Sequence, residues 1–296
     1  MPFNITAPQV INPFHIPNSF KYSNAMADWA FYDVGALNVA EFNYLVNEQS
    51  IEGSVLVALP SDEKNFGIIK YRDFAELKAG SGKPLQRLSI AGVGSSDVGA
   101  AAFARTLANH YQEPVGAIVA GYGVADILQE GLGGWFVLGG LNRAMSMFEQ
   151  TMIQPWKGSS SHIDTASTLS GVTAKSPDTE TLLNILNDPA RDLKSIAGHS
   201  KGCLSIALAL QTLEKEGSTQ AIGKAKALEV ITVGSVVNLP EGYENVRQYI
   251  GDIDWFGGLN SRANVERITV KGAWHHLNTR FPYHLDLVEV LQNSTQ

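Results

Sequence analysis

Short apolar runs, each ended by turn residues, recur along the chain. They fall at 54–59 (SVLVAL), 67–71 (GIIKY), 87–92 (RLSIAG), 115–120 (VGAIVA), 193–197 (LKSIA), 227–233 (ALEVITV), 246–250 (VRQYI) and 267–270 (RITV). Their length and content predict strands. Helical spacing follows several of them, at 97–110 (DVGAAAFARTLANH), about 124–129, 203–210 and about 284–292. Residues 25–47 read as helical in parts, broken near Gly35. Ser95, Ser96 or Asp97 can cap the helix at 97–110. Buried strands alternating with helices predict an α/β chain, with a mostly parallel central sheet covered by helices on both faces. Sites in such sheets lie beyond the carboxyl ends of the strands. Pro2, Pro8, Pro13 and Pro17 mark residues 1–24 as an extended N-terminal arm. The rest reads as a single domain over 1–296, without repeats and with a long interruption at about 131–180.

One junction carries chemistry. The strand at 193–197 runs into Gly198-His199-Ser200-Lys201-Gly202 and then into an apolar helix. The pentapeptide fits G-x-S-x-G, a sharp strand-to-helix turn that presents a serine above the sheet. The two glycines keep side chains out of the place where strand and helix touch. A serine hydroxyl needs a base to remove its proton and a carboxylate to orient that base. In this architecture they follow in the order Ser, acid, His.

The strand at 246–250 ends in Gly251-Asp252-Ile253-Asp254. Asp252, right at the strand end, is the expected acid, with Asp254 as the alternative. The last strand leads into Trp274-His275-His276. His275 is the expected base; His276 and His284 are its competitors. His199 is expected to pack around the elbow rather than reach the hydroxyl. For the oxyanion, one N–H should come from Lys201, immediately after the serine. The second is expected from the small-residue loop Gly92-Val93-Gly94-Ser95-Ser96, at Val93–Ser95 with Gly94 central, or else from Gly121-Tyr122-Gly123.

The same Gly92-Val93-Gly94 stretch hints at a dinucleotide fingerprint, but Asp97 stands where the third glycine belongs and would repel a pyrophosphate. No Cys/His/Asp spacing points to a metal, and no cofactor is expected. A net charge of -7 argues against nucleic acid as a partner. The single cysteine, Cys203, excludes an internal disulfide and is expected in the core. The N-terminus lacks the features of a secretory signal, and no run of about 18 apolar residues predicts a membrane span. A cytoplasmic protein is expected, of open oligomeric state.

With Ser200, Asp252 and His275 in that order, residues 50–296 resemble the α/β-hydrolase superfamily. GHSKG resembles the elbows of its bacterial lipase- and esterase-like members, and VKGAWHHLN looks like their terminal histidine loop. The His-Gly-Gly oxyanion motif of some lipases is absent. The resemblance implies a serine esterase or lipase that works through an acyl-enzyme. Residues 131–152 carry Trp135, Phe136, Leu138, Met145, Met147 and Phe148, adaptable packing groups. In this superfamily such an insert often looks like a lid. An inserted helical cap at 131–180 is therefore expected, favouring an apolar acyl group in a lipid, polyester or small-molecule ester; the competing expectation is a helix pair completing the core or a dimer face. Thioester hydrolysis, acyl transfer by the same residues, or ligand binding without turnover are the alternatives.

Overall fold

The computed structural model describes residues 28–62, 65–80, 85–120, 176–259 and 261–293. The arm expected at 1–24, the Gly121–Gly123 turn, the helix expected at 124–129 and the cap expected at 131–180, up to residue 175, lie outside the described residues.

Each apolar run forms a strand: β1 (Val55–Ala58), β2 (Ile68–Tyr71), β3 (Arg87–Ile90), β4 (Val115–Ile118), β5 (Ser195–His199), β6 (Glu229–Val233), β7 (Val246–Gly251) and β8 (Ile268–Val270). They join in one sheet of order β2-β1-β4-β3-β5-β6-β7-β8. β1 pairs antiparallel with both β2 and β4. From β4 to β8 every pairing is parallel. The parallel strands therefore end on one side, and the loops after β3, β5, β7 and β8 gather there.

The α-helices lying wholly among the described residues are α1 (Val39–Asn47), α2 (Phe74–Ala79), α3 (Asp97–Tyr111), α4 (Pro177–Asn187), α5 (Lys201–Glu216), α6 (Thr219–Lys226), α7 (Trp255–Leu259) and α8 (Leu287–Asn293). The period-2 alternation of the strands sorts them onto two faces. Leu56, Ala58, Ala117, Ala197 and Ile231 bury against α1, α3 and α8. Val55, Val57, Leu88, Ile196 and Val230 bury against α2, α4, α5 and α6. α3 is capped by Ser96, whose Oγ accepts the Val98 N–H at 3.1 Å. Its alanines, 100–102, 104 and 108, let it lie close on the sheet.

The last residues of the span expected as a cap, 131–180, belong to a helix that packs on the sheet. Residues 177–180 are the first turn of α4, with Pro177 at the helix start. Leu182, Ile185 and Leu186, at i, i+3 and i+4, bury in the same cluster as Ile206, Leu210 and Leu213 of α5. This part covers the sheet.

A buried ion pair ties α1 to α3. The Arg105 guanidinium donates to Glu41 Oε1 at 2.5 Å, and the same oxygen accepts the Gly67 N–H at 2.7 Å. Glu41 Oε2 accepts the Asn38 N–H, closing a capping box. Removing one partner leaves the other charged and buried, which costs about 3–5 kcal/mol. Glu41→Ala should lose that much in urea unfolding, and adding Arg105→Met to it should recover part of the loss.

Candidate active site

The backbone at the end of β5 reverses within one residue. Ser200 sits at φ 53°, ψ −118°, a conformation that costs about 1–3 kcal/mol and persists only when its surroundings over-determine it. Those surroundings are tight. A Cβ on Gly198 would lie 2.8 Å from the Cys203 nitrogen, and one on Gly202 would overlap the Ile90 carbonyl oxygen of β3. The Ser200 N–H donates to the Val233 carbonyl of β6 at 3.0 Å, and the Ser200 carbonyl accepts the Cys203 N–H at 3.0 Å.

Ser200 Oγ lies 3.0 Å from His275 Nε2. His275 Nδ1 lies 2.8 Å from Asp254 Oδ2, with both side chains buried. With Nδ1–H donating to the carboxylate, Nε2 is left as the acceptor of the serine proton. The Phe256 ring meets His275 edge-on at 4.7 Å between centroids, and the Phe31 ring stands at 6.1 Å.

The expected acid, Asp252, does not meet His275; Asp254, the alternative, does. Asp252 is exposed, and its carboxylate accepts the Gly272 N–H at 2.7 Å, joining the ends of β7 and β8. The strand end turns outward there and comes back inward two residues later. Asp254 then begins α7, where its Oδ1 accepts the Gly257 N–H at 2.6 Å, the N-cap arrangement. The cap fixes the carboxylate so that Oδ2 faces His275. The competing histidines point elsewhere. His276 lies between Trp274 and Phe281, and His284 Nδ1 bonds the Phe281 carbonyl at 2.9 Å.

The Lys201 amide is the first N–H of α5, and among the described residues it has no hydrogen-bond partner. Gly94, at φ 73°, is third in the turn closed by the Ser95 N–H on the Gly92 carbonyl at 3.2 Å. The Val93 and Gly94 amides have no partner among the described residues. This loop lies against the serine, since a Cβ on Gly92 would sit 3.2 Å from Ser200 Cβ. The carboxyl of Asp28 steadies the loop, accepting from the Ser96 N–H at 3.1 Å and from the Ser96 hydroxyl. Burial pushes that carboxyl up to about 7 against the pull of Ser96 and Ser95.

Two contributors, the Lys201 side chain and Tyr32, carried no signal that sequence spacing alone could pick out. The Lys201 side chain is buried. Its ammonium donates to the Ala120 carbonyl at 2.7 Å and pairs with Asp178 at 3.2 Å and Glu52 at 3.3 Å. Tyr32 reaches the site from before the sheet begins, and Asp254 reaches it through its cap. His199 packs into the elbow as expected, and burial with His275 beside it lowers its pKa from 6.5 to about 3. Cys203 is fully buried in the core, its thiol pushed up by burial to about 12. Among the described residues no group of side chains could hold a metal ion, and no helix is long and apolar enough to cross a membrane.

No protein-family model, curated protein or solved structure matches the chain.

The His199 shift has a consequence for stability. Between pH 3 and 6.5 the unfolded chain binds a proton at His199 that the folded chain does not. Its contribution is whole above pH 6.5 and is lost as pH falls toward 3, by up to about 1.4 kcal/mol per pH unit. Urea midpoints measured across this window should fall less steeply with acidification for His199→Gln than for the wild type.

Proposed function

We propose that the chain is a serine hydrolase of the α/β-hydrolase fold that cleaves carboxylic esters. The reading rests on one observation above the others: Ser200, His275 and Asp254, each following its own parallel strand, form a continuous hydrogen-bonded chain at 3.0 and 2.8 Å. The strained backbone at Ser200 supports it, because such strain concentrates at functional positions.

The Ser200 Oγ attacks the ester carbonyl while His275 Nε2 takes the hydroxyl proton. Asp254 holds the imidazole with Nε2 free and stabilises its cation. The N–H groups of Lys201 and Gly94 receive the developing oxyanion. His275 then protonates the departing alcohol, leaving an acyl-enzyme. Water deprotonated by the same histidine attacks the acyl carbonyl, releases the acid and returns the proton to Ser200. No step calls on a cofactor. Phe256 and Phe31 beside His275, with exposed Ile253 and Trp255 near Asp254, favour an ester with an apolar acyl group.

Intact-mass labelling with a fluorophosphonate tests the nucleophile without a known substrate. A single adduct on the wild type and none on folded Ser200→Ala is expected; an adduct that survives the substitution would refute the reading. The acid is tested separately. Asp254→Asn should lower kcat on an ester substrate by about 10⁴-fold, because the imidazole is left in the wrong tautomer. Asp252→Asn should leave kcat close to the wild-type value. Among esters of graded length, kcat/KM should rise as the acyl chain grows.

A further inference from the structure

His199 precedes the nucleophile, is buried, and uses both ring nitrogens without touching Ser200 Oγ. Its Nε2 lies 2.8 Å from the backbone carbonyl of His275. A carbonyl can only accept, so Nε2 carries the proton. Nδ1 is then a lone pair, and the Tyr32 hydroxyl, 2.8 Å away, donates to it. The Tyr32 oxygen in turn accepts the Gly92 N–H at 2.6 Å. The bonds run in one direction, from Gly92 N–H to Tyr32, from Tyr32 O–H to His199 Nδ1, and from His199 Nε2–H to His275 O.

This chain crosses three segments that converge on the serine: the loop after β3, the elbow after β5 and the loop after β8. The first carries the Val93 and Gly94 amides, the last the imidazole of His275. Packing holds the two rings as well. Tyr32 meets His199 edge-on at 5.3 Å, and the His199 and His275 rings lie 5.0 Å apart. Burial keeps His199 neutral and raises the Tyr32 hydroxyl above its ordinary value, so neither end of the chain reverses at neutral pH.

Resting on the hydrolase reading, we propose that Tyr32 and His199 are positioning residues that set His275 and the Gly92–Gly94 loop at their working distance from Ser200. They act through backbone atoms and exchange no proton with the substrate. A small misplacement at a catalytic centre can cost about 100-fold in rate, so the effect belongs in kcat rather than in KM.

The test measures the rate of fluorophosphonate labelling and ester kcat and KM for the wild type, Tyr32→Phe, His199→Leu and His199→Gln, with thermal unfolding as a check that each folds. Tyr32→Phe keeps the ring but leaves the Gly92 N–H and His199 Nδ1 without their link. It should lose about 10-fold in kcat and labelling rate, with KM within about twofold. His199→Leu should lose about 100-fold. His199→Gln keeps an N–H where Nε2 stood and should recover most of that loss, which simple repacking of a cavity would not produce. If His199→Leu fails to fold, Tyr32→Phe decides alone. A labelled wild type with variants that label at its rate would overturn the positioning role and leave the hydrolase reading standing. Equal losses for His199→Gln and His199→Leu would also overturn it. A wild type that takes no label on Ser200 would remove the hydrolase reading and the positioning role together.

Discussion

The approach of α5 to β3 is the contact on which the site depends. The Ile90 carbonyl lies where a side chain on residue 202 would otherwise project. Because the helix can come that close, the chain turns from β5 into α5 through the single strained residue Ser200. The strain is held by bonds to neighbouring elements, the Ser200 N–H on β6 and its carbonyl on Cys203. The hydroxyl then projects toward the loops at the carboxyl ends of the parallel strands. Asp254 and His275 arrive from β7 and β8, so the register of the sheet sets their separation before any side chain is chosen.

The polar groups around the serine show how a water-poor region is made tolerable. Buried polar groups are costly when unpaired and cooperative when fully paired. Asp254 divides its two oxygens between a helix cap and an imidazole. Tyr32 and His199 pass one direction of hydrogen bonding between three loops. Lys201, buried next to Ser200, has a carbonyl and two carboxylates around its ammonium. Each of these groups serves the fold and the site with the same bonds.

Much of this was legible in the sequence. All eight strands fall where the apolar runs lie; the central parallel strands β4, β5 and β6 are buried on both faces and leave an uninterrupted apolar signature, and the edge strands β2 and β8 leave shorter ones. The elbow was legible for a steric reason, since glycines at 198 and 202 are what the turn requires. The choice between Asp252 and Asp254 was not. Both follow the strand within a Gly-Asp-Ile-Asp run, and the difference is the short helix Trp255–Leu259, whose two glycines hide it from any propensity argument. α4 was obscured by its place at the end of the long interruption, and α6 by its few apolar positions and the Gly223 within it. Tyr32 lies too far along the chain from its partners for spacing to connect them.

The Lys201 ammonium is also a clasp. It holds the carbonyl of Ala120, just beyond β4, and the carboxylate of Asp178, in the first turn of α4, at once. One side chain beside the elbow therefore fastens a strand end to a helix start far along the chain, and any change that neutralised it would leave the buried Asp178 carboxylate without this counter-charge.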